Sequence, residues 1–421
     1  MDAERLSAGG ERGAAVAAAL VTASGPIPAR GGSAGAKVVA SAGLAWDDDG
    51  IIVHAGPAGD LPWEPRVGSP DVGCIAPGFV DCHTHVPFVG WRSDEFEARL
   101  RGVSYGELHG AEGGIFRSAR MLADATDEQV FAFCRPLLGE MAAHGTTALE
   151  LKTGYGLSIE AELRQARLAR ALAEEAAQTC TVTLLACHAV PDGMSRPDWV
   201  RAASEELIPA AADEGLVDAV DVYVEDLAFS VEDLERIAES AATTQLPLRV
   251  HAEQLGRSGA AEAAVRLGAR SADHLNRVSD EGVKRLGRAD GTAAVLLPSS
   301  TFFLRAPTPP VAELLEAGAV IAIATDFNPG TSPTLSMPET IAVGCSLYGL
   351  DPLEALTAAT ANAAWVLGLD DRIGTLEPGR RADFVLLEEP DFAQVPYRPG
   401  HNPVVATFIA GRLVSGETGG S

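Results

Sequence analysis

Ile75-Ala-Pro-Gly-Phe-Val-Asp-Cys-His-Thr-His85 opens as a short apolar run and closes on two histidines separated by one residue. On an extended segment, side chains at i and i+2 share a face, so His83 and His85 can reach one metal ion together. A lone His-x-His carries little weight. This one ends the first of eight similar runs, the others being Thr147–Leu151, Thr181–Ala186, Ala219–Val224, Leu246–Val250, Ala269–Ala272, Ala293–Leu297 and Val320–Ala324. Between them lie stretches with apolar residues at three- and four-residue spacing, among them Glu160–Glu175, Ser230–Ala241 and Pro310–Ala317, which read as helices. Eight strand–helix alternations, with strands apolar on both faces, predict an α/β chain folded as a parallel (β/α)8 TIM barrel. Pro77 is tolerable in the first run, Ile75–Val80, only near that strand's start, because proline has no N–H to give a ladder.

The ends of the chain read differently. Val38–Ser41, Gly50–His54, Ala382–Leu387 and Val404–Val414 are short β-type segments separated by Gly, Pro and Asp-Gly turns. Neither end has strands enough for a stable sheet of its own. The two are expected to meet in one small composite β-sandwich domain, residues 1–74 and 369–421, around a barrel of residues 75–368. Gly13–Ala23 is apolar, but its upstream flank sets Asp2, Glu4 and Glu11 against Arg5 and Arg12 and lacks the basic start of a signal peptide. It reads as the first strand of the folded protein.

Composition narrows the partners. The 32 Lys+Arg against 58 Asp+Glu leave a formal charge of −26, which repels nucleic-acid backbones and anionic lipid. No nucleic-acid or membrane partner is expected, and no apolar run reaches the ~18 residues of a transmembrane helix. A small anionic substrate remains compatible, since one buried Arg can dominate a pocket. Six cysteines without a Cys-x-x-Cys pair read as reduced thiols, which places the protein in the cytoplasm.

Five of the nine histidines and one aspartate fall where the barrel strands end: His83 and His85 after the first, His188 after the third, His251 after the fifth, His274 after the sixth and Asp326 after the eighth. In this architecture those ends converge on one mouth, where the βα loops build the active site. Three imidazoles and a carboxylate, from His83, His85, His251 and Asp326, suit Zn2+, with iron or manganese as alternatives because ligand type alone does not select the metal.

This constellation resembles the amidohydrolase superfamily. Within it the chain is similar to the imidazolonepropionase family, cyclic-amide hydrolases of histidine degradation. The likeness runs from about Ala76 to Leu413 and is carried by Pro77-Gly-Phe-Val-Asp-Cys-His-Thr-His85, Glu150-Leu-Lys-Thr-Gly-Tyr-Gly-Leu157, Ala186-Cys-His-Ala-Val-Pro191, Ala272-Asp-His-Leu275 and Ala324-Thr-Asp-Phe-Asn-Pro-Gly330. The resemblance implies one metal on His83, His85, His251 and Asp326, and hydrolysis of 4-imidazolone-5-propanoate to N-formimino-L-glutamate. A cation so held lowers the pKa of a water from ~15.7 toward ~7 and polarises the ring carbonyl. His274 and Asp326 are placed to share the proton work as general base and acid. By the family's pattern His188 contacts the substrate and helps polarise the carbonyl, while Arg92 and Tyr155 match substrate contacts, the Arg suiting a carboxylate. Asn328, Gly330 and Thr331 follow Asp326 in the last loop, where their donors can hold substrate or product.

Other positions are read more plainly. Glu225, at the fourth strand end, either bridges to a second metal, as in two-metal relatives, or orders a loop; one metal is favoured. Lys152 follows the second strand, the wrong place for a carbamylated bridging lysine, and reads as structural. His144 before Gly145 reads as a helix C-cap, and His54, His109 and His401 carry no functional assignment. Two departures from the family's pattern stand out: Gln254 where Glu is expected three residues after His251, and Glu112 where a third consecutive Gly is typical. The Gln254 amide can hydrogen-bond a ring N–H or a water but cannot act as a base. The competing readings are a superfamily deaminase or deiminase on an imidazole- or pyrimidine-like ring, and a metal-free barrel scaffold. A homodimer is expected, as among relatives.

Overall fold

The computed structural model describes residues 11–31, 35–103, 113–225 and 228–417; His109 and Glu112 lie outside them. Strands β1 (Gly13–Ser24), β2 (Gly35–Trp46), β3 (Ile52–Pro57), β4 (Val67–Gly68) and β5 (Cys74–Pro77) come from the N-terminal side. They are followed by β6 (Phe79–Asp81), β7 (Thr146–Lys152), β8 (Thr179–Cys187), β9 (Ala219–Val224), β10 (Leu248–Ala252), β11 (Ser271–His274), β12 (Ala293–Leu296) and β13 (Ile321–Ile323). Among the described residues β6 to β13 form one eight-stranded sheet in sequential order, every neighbouring pair parallel. Just past the strand ends the sheet closes on itself: Asp326 N donates to His83 O at 3.0 Å and His85 N to Phe327 O at 2.9 Å. The barrel is the one expected, and its closure joins the two segments that carry His83, His85 and Asp326.

The helices between strands obey their local sequence. Thr126 and Gln129 form a reciprocal capping box at the start of Asp127–Ala143, and Ser230 with Asp233 does the same for Val231–Thr243. Helix Ile159–Glu175 turns Leu163, Ala166, Ala169 and Leu172 toward the barrel, the three- and four-residue period seen in the sequence. His144 takes the C-cap position of Asp127–Ala143, ahead of Gly145 at φ +88°.

The terminal segments meet as expected. With β14 (Phe384–Leu387), β15 (Val404–Ile409) and β16 (Arg412–Gly416), the second sheet runs β16-β15-β14-β5-β1-β2-β3, and β4 pairs with β1. Two strands separate β2 from β14, a flat distance of roughly 14 Å at ~4.8 Å per strand. Yet the Trp46 ring on β2 lies 5.4 Å from Phe384 on β14 and 6.2 Å from Phe408 on β15. The sheet therefore curls over its own apolar face, which buries Leu20, Leu44 and Ile75 beside those rings.

Two elements differ from the sequence reading. The run Ile75–Val80 is divided between the sheets: β5 pairs with β14, and β6 begins the barrel. Pro77 and Gly78 make the division, proline because it cannot donate to a continuing ladder, glycine because a Cβ there would collide with the Thr147 side chain. The sixth strand lies two residues later than its apolar run, at Ser271–His274, so its second half is polar and points at the mouth. All six cysteines are unpaired thiols, four of them buried. No helix of the described residues is long and apolar enough to cross a membrane.

Candidate metal centre and active site

The strand ends bring His83, His85, His251, His274 and Asp326 together. Each of two sets, His83 with His251 and His274, and His83 with His85 and Asp326, has ligand atoms within 4.8 Å of one another. The backbone is bent to achieve this: Asp326 (φ +54°), His274 (φ +76°) and Leu275 (φ +62°) all occupy the left-handed region, which costs non-glycine residues roughly 1–3 kcal/mol each.

Two of the imidazoles are oriented from behind by a carboxylate. His83 Nδ1 lies 2.6 Å from Asp273 Oδ2, which holds the ring proton there and turns the Nε2 lone pair toward Asp326 Oδ1, 3.5 Å away. His251 Nδ1 lies 3.0 Å from Asp221 Oδ2, and its Nε2 faces His85 Nε2 at 3.5 Å. His85 Nε2 lies 3.2 Å from Asp326 Oδ1. Among the described residues His83 Nε2 is buried without a hydrogen-bond partner. Lone pairs so opposed repel each other unless a cation stands between them. Burial holds His83 and His85 below the ordinary histidine range, which keeps them neutral. Burial also pulls on His251, but Asp221 more than offsets it and leaves that group above its ordinary value. Around and beneath these rings Asp81, Glu150, Asp221, Asp273 and Asp326 are buried, and among the described residues the buried cations are Lys152 and Arg249 beneath and Arg92 in the pocket above. Burial pushes both Asp81 and Asp273 up to about 7, desolvation outweighing the hydrogen bonds to Asp81 and the Lys152 charge near Asp273. A divalent cation fits both the donor set and the charge deficit, with His83, His85, His251 and Asp326 as the convergent donors.

Lys152 is fully buried below the site, its Nζ 2.6 Å from Asp221 Oδ2 and 2.8 Å from Glu150 Oε2. Arg249 reaches the same Glu150, whose Oε1 also accepts from Thr183 Oγ1 at 2.5 Å. Glu225 spends both oxygens on backbone N–H groups, Leu255 at 2.9 Å and Gly256 at 3.0 Å, and so orders that loop.

Toward solvent a small pocket is lined by Arg92, Tyr155, His188, Gln254, Asn328 and Thr331 together with His85, His251, His274 and Asp326. His188 stacks on His85 at 5.4 Å between centroids, and Gly154 O, 3.0 Å from Nδ1, fixes its ring. Tyr223, on β9, donates from its hydroxyl to Gln254 Oε1 at 3.0 Å and so turns the Gln254 amide nitrogen outward. Asn328 Oδ1 accepts from the N–H groups of Gly330 (2.9 Å) and Thr331 (2.7 Å) and from Thr331 Oγ1 (3.0 Å). Gly330 does not reach the pocket lining, and its N–H is engaged in that turn; a Cβ there would strike the Arg92 guanidinium, so its contribution is room. Arg92 is 4% exposed, and among the described residues its Nε and Nη1 have no hydrogen-bond partner.

Sequence reasoning missed Asp221, Tyr223 and Asp273. The available signal was a carboxylate inside an otherwise apolar strand, as in Val220-Asp-Val-Tyr-Val224, where only a buried partner makes the charge tolerable.

The amidohydrolase family profile matches residues 74–414. The imidazolonepropionase of Rubrobacter xylanophilus is 43% identical over 94% of this chain and 96% of its own length. That of Cupriavidus taiwanensis is 42% identical over 92% and 93%. Among solved structures, an adenosine deaminase from Xanthomonas campestris with bound zinc superposes at TM-score 0.68 with 20% identity, covering 95% of this chain and 92% of that one. A guanine deaminase from C. acetobutylicum gives TM-score 0.69 at 16% identity, with 96% and 100% covered. The two deaminases share the fold, whereas the sequence relatives match nearly end to end, and the chain therefore belongs to the amidohydrolase family and, within it, to the imidazolonepropionases.

Proposed function

We propose that the chain hydrolyses the ring amide of 4-imidazolone-5-propanoate to N-formimino-L-glutamate, using one Zn2+ per chain on His83, His85, His251 and Asp326. The observation that carries the reading is the buried Arg92 guanidinium, opening into the same pocket as the convergent imidazoles with Nη1 free of any hydrogen bond among the described residues and Nε held only by a 3.6 Å ion pair to Glu95 Oε2. A ring with an anionic tail satisfies both ends of that pocket. Bound there, the cation supplies a Lewis acid that lowers the pKa of a water and polarises the ring carbonyl.

The chain's own groups do the rest. Arg92 takes the propionate carboxylate, and Tyr155 with His188 packs beside the ring. The water oxygen adds to the carbonyl carbon, the ring C–N bond breaks, and the departing nitrogen gains a proton. Burial pushes His274 down to about 3, so the resting ring is uncharged; its part as acceptor of the water's proton rests on its place beside the Asp326 carboxylate, which favours the imidazolium. The Gln254 amide is placed to hydrogen-bond the ring.

The direct test pairs metal analysis with a spectroscopic assay on imidazolone propionate. One equivalent of zinc and formation of formiminoglutamate are expected; release of ammonia instead would make the chain a deaminase. Arg92→Gln should lower kcat/KM about a hundredfold, the usual scale for unpairing a buried charged contact. Gly330→Ala should lower kcat/KM about tenfold by displacing the same guanidinium, and retained full activity would show that the clearance is not needed.

A further inference from the structure

A second chamber, about 360 Å3 in volume, lies beside the catalytic pocket and shares Gln254 with it. It opens between the helices Ser93–Leu100 and Pro298–Leu304. Three arginines line it, Arg99, Arg277 and Arg305, and no carboxylate does among the described residues. In a chain with 58 acidic against 32 basic side chains, so one-sided a lining runs against composition. The −26 charge of the whole is screened beyond roughly 8 Å at physiological salt, so the local arginines decide what enters.

Aromatic side chains line the chamber beside the charges. Phe303 stacks on Phe96 at 4.8 Å and 21°, and the Arg99 guanidinium lies 4.7 Å over the Phe303 ring. A second, independent feature points to an occupant. Ser300 lines the chamber, is 1% exposed, and its hydroxyl has no partner among the described residues, a condition that costs about 1–3 kcal/mol unless something inside accepts or donates to it. Arg277 and Arg305 stand exposed at the rim.

We propose that this chamber is a carboxylate-holding antechamber, in which the anionic substrate lodges on Arg277 and Arg305 before passing Gln254 to Arg92. The inference rests on the reading that the substrate is a small ring with a carboxylate tail. It adds to that reading a second anion site on the route of entry.

Two measurements test it. In the first, Arg277→Gln/Arg305→Gln should lower kcat/KM for imidazolone propionate about tenfold at low ionic strength, the lower end of electrostatic guidance, with the loss shrinking below about twofold at 0.5 M salt. The charge-matched control Lys37→Gln/Arg412→Gln, in the terminal sheet, should show no such loss. A salt-independent loss, or an equal loss in the control, overturns the proposal. The second needs no turnover. Glutarate should still bind the Arg92→Gln protein with a Kd of about 1–10 mM by calorimetry, and adding Arg277→Gln/Arg305→Gln should weaken it at least about tenfold. No glutarate binding to Arg92→Gln, or binding indifferent to the added substitutions, overturns the antechamber. Failure of the wild-type enzyme to hydrolyse imidazolone propionate would instead overturn the functional reading, leaving the glutarate result to decide the chamber alone.

Discussion

His83→Ala is expected to remove the bound cation and hydrolysis together while the barrel remains folded. The ring supplies one of the convergent nitrogens and is the one residue common to both groups of ligand atoms, His83 with His251 and His274 and His83 with His85 and Asp326, among the described residues. With the cation lost, a water's pKa returns from ~7 toward ~15.7, so turnover should fall roughly a thousandfold or more. The substitution also leaves Asp273 Oδ2 without the donor now 2.6 Å away, a loss of about 1–3 kcal/mol in a fully buried position. That lowers Tm but is small beside a core that runs through every strand of the barrel. Metal content near zero with an unchanged far-ultraviolet circular dichroism spectrum is the predicted pair. Undiminished turnover in a metal-stripped sample would defeat the mechanism.

The second large effect concerns His274. His274→Asn should lower kcat by about 10^2–10^4, the range for loss of a positioned acid–base group, and leave the metal content at one per chain. The two observables separate two roles that geometry alone brings close. His274 stands 5.3 Å from His251 and 5.6 Å from His83 between ring centroids, within the same nest of ligand atoms. If activity and metal fall in proportion, His274 belongs to the cation's coordination and the proton transfer must pass to Asp326. If metal stays and kcat falls, His274 is the proton acceptor. Asparagine suits the test because it keeps a short polar side chain in a position where φ is +76°, so backbone strain changes little.

How much of the site was legible follows from what each residue announces. The strand-end histidines and Asp326 could be found because polar titratable groups at the close of apolar runs break a pattern of period and hydropathy. Arg92 and Tyr155 required the family likeness, since an Arg in a loop is by itself an ordinary solvated charge. Gly330 reads in the sequence as a donor; in the structure its N–H is given to Asn328, and its lack of a Cβ leaves room for the Arg92 guanidinium. Spacing along a chain does not reveal which atoms a turn has already used.

The order of strands and helices was readable in the polymer alone, because period and branching record which faces must be buried, and closing eight such strands in sequence carries their ends to one rim. Partnership across that rim was not. Asp273 behind His83, Asp221 shared by His251 and Lys152, and Gln254 turned by Tyr223 join residues from different strands, and only the closed barrel sets those distances. Hydrogen bonds and ion pairs act over a few ångströms in space and leave no periodic trace along the backbone, so the second layer of this centre became visible only once the strands were packed.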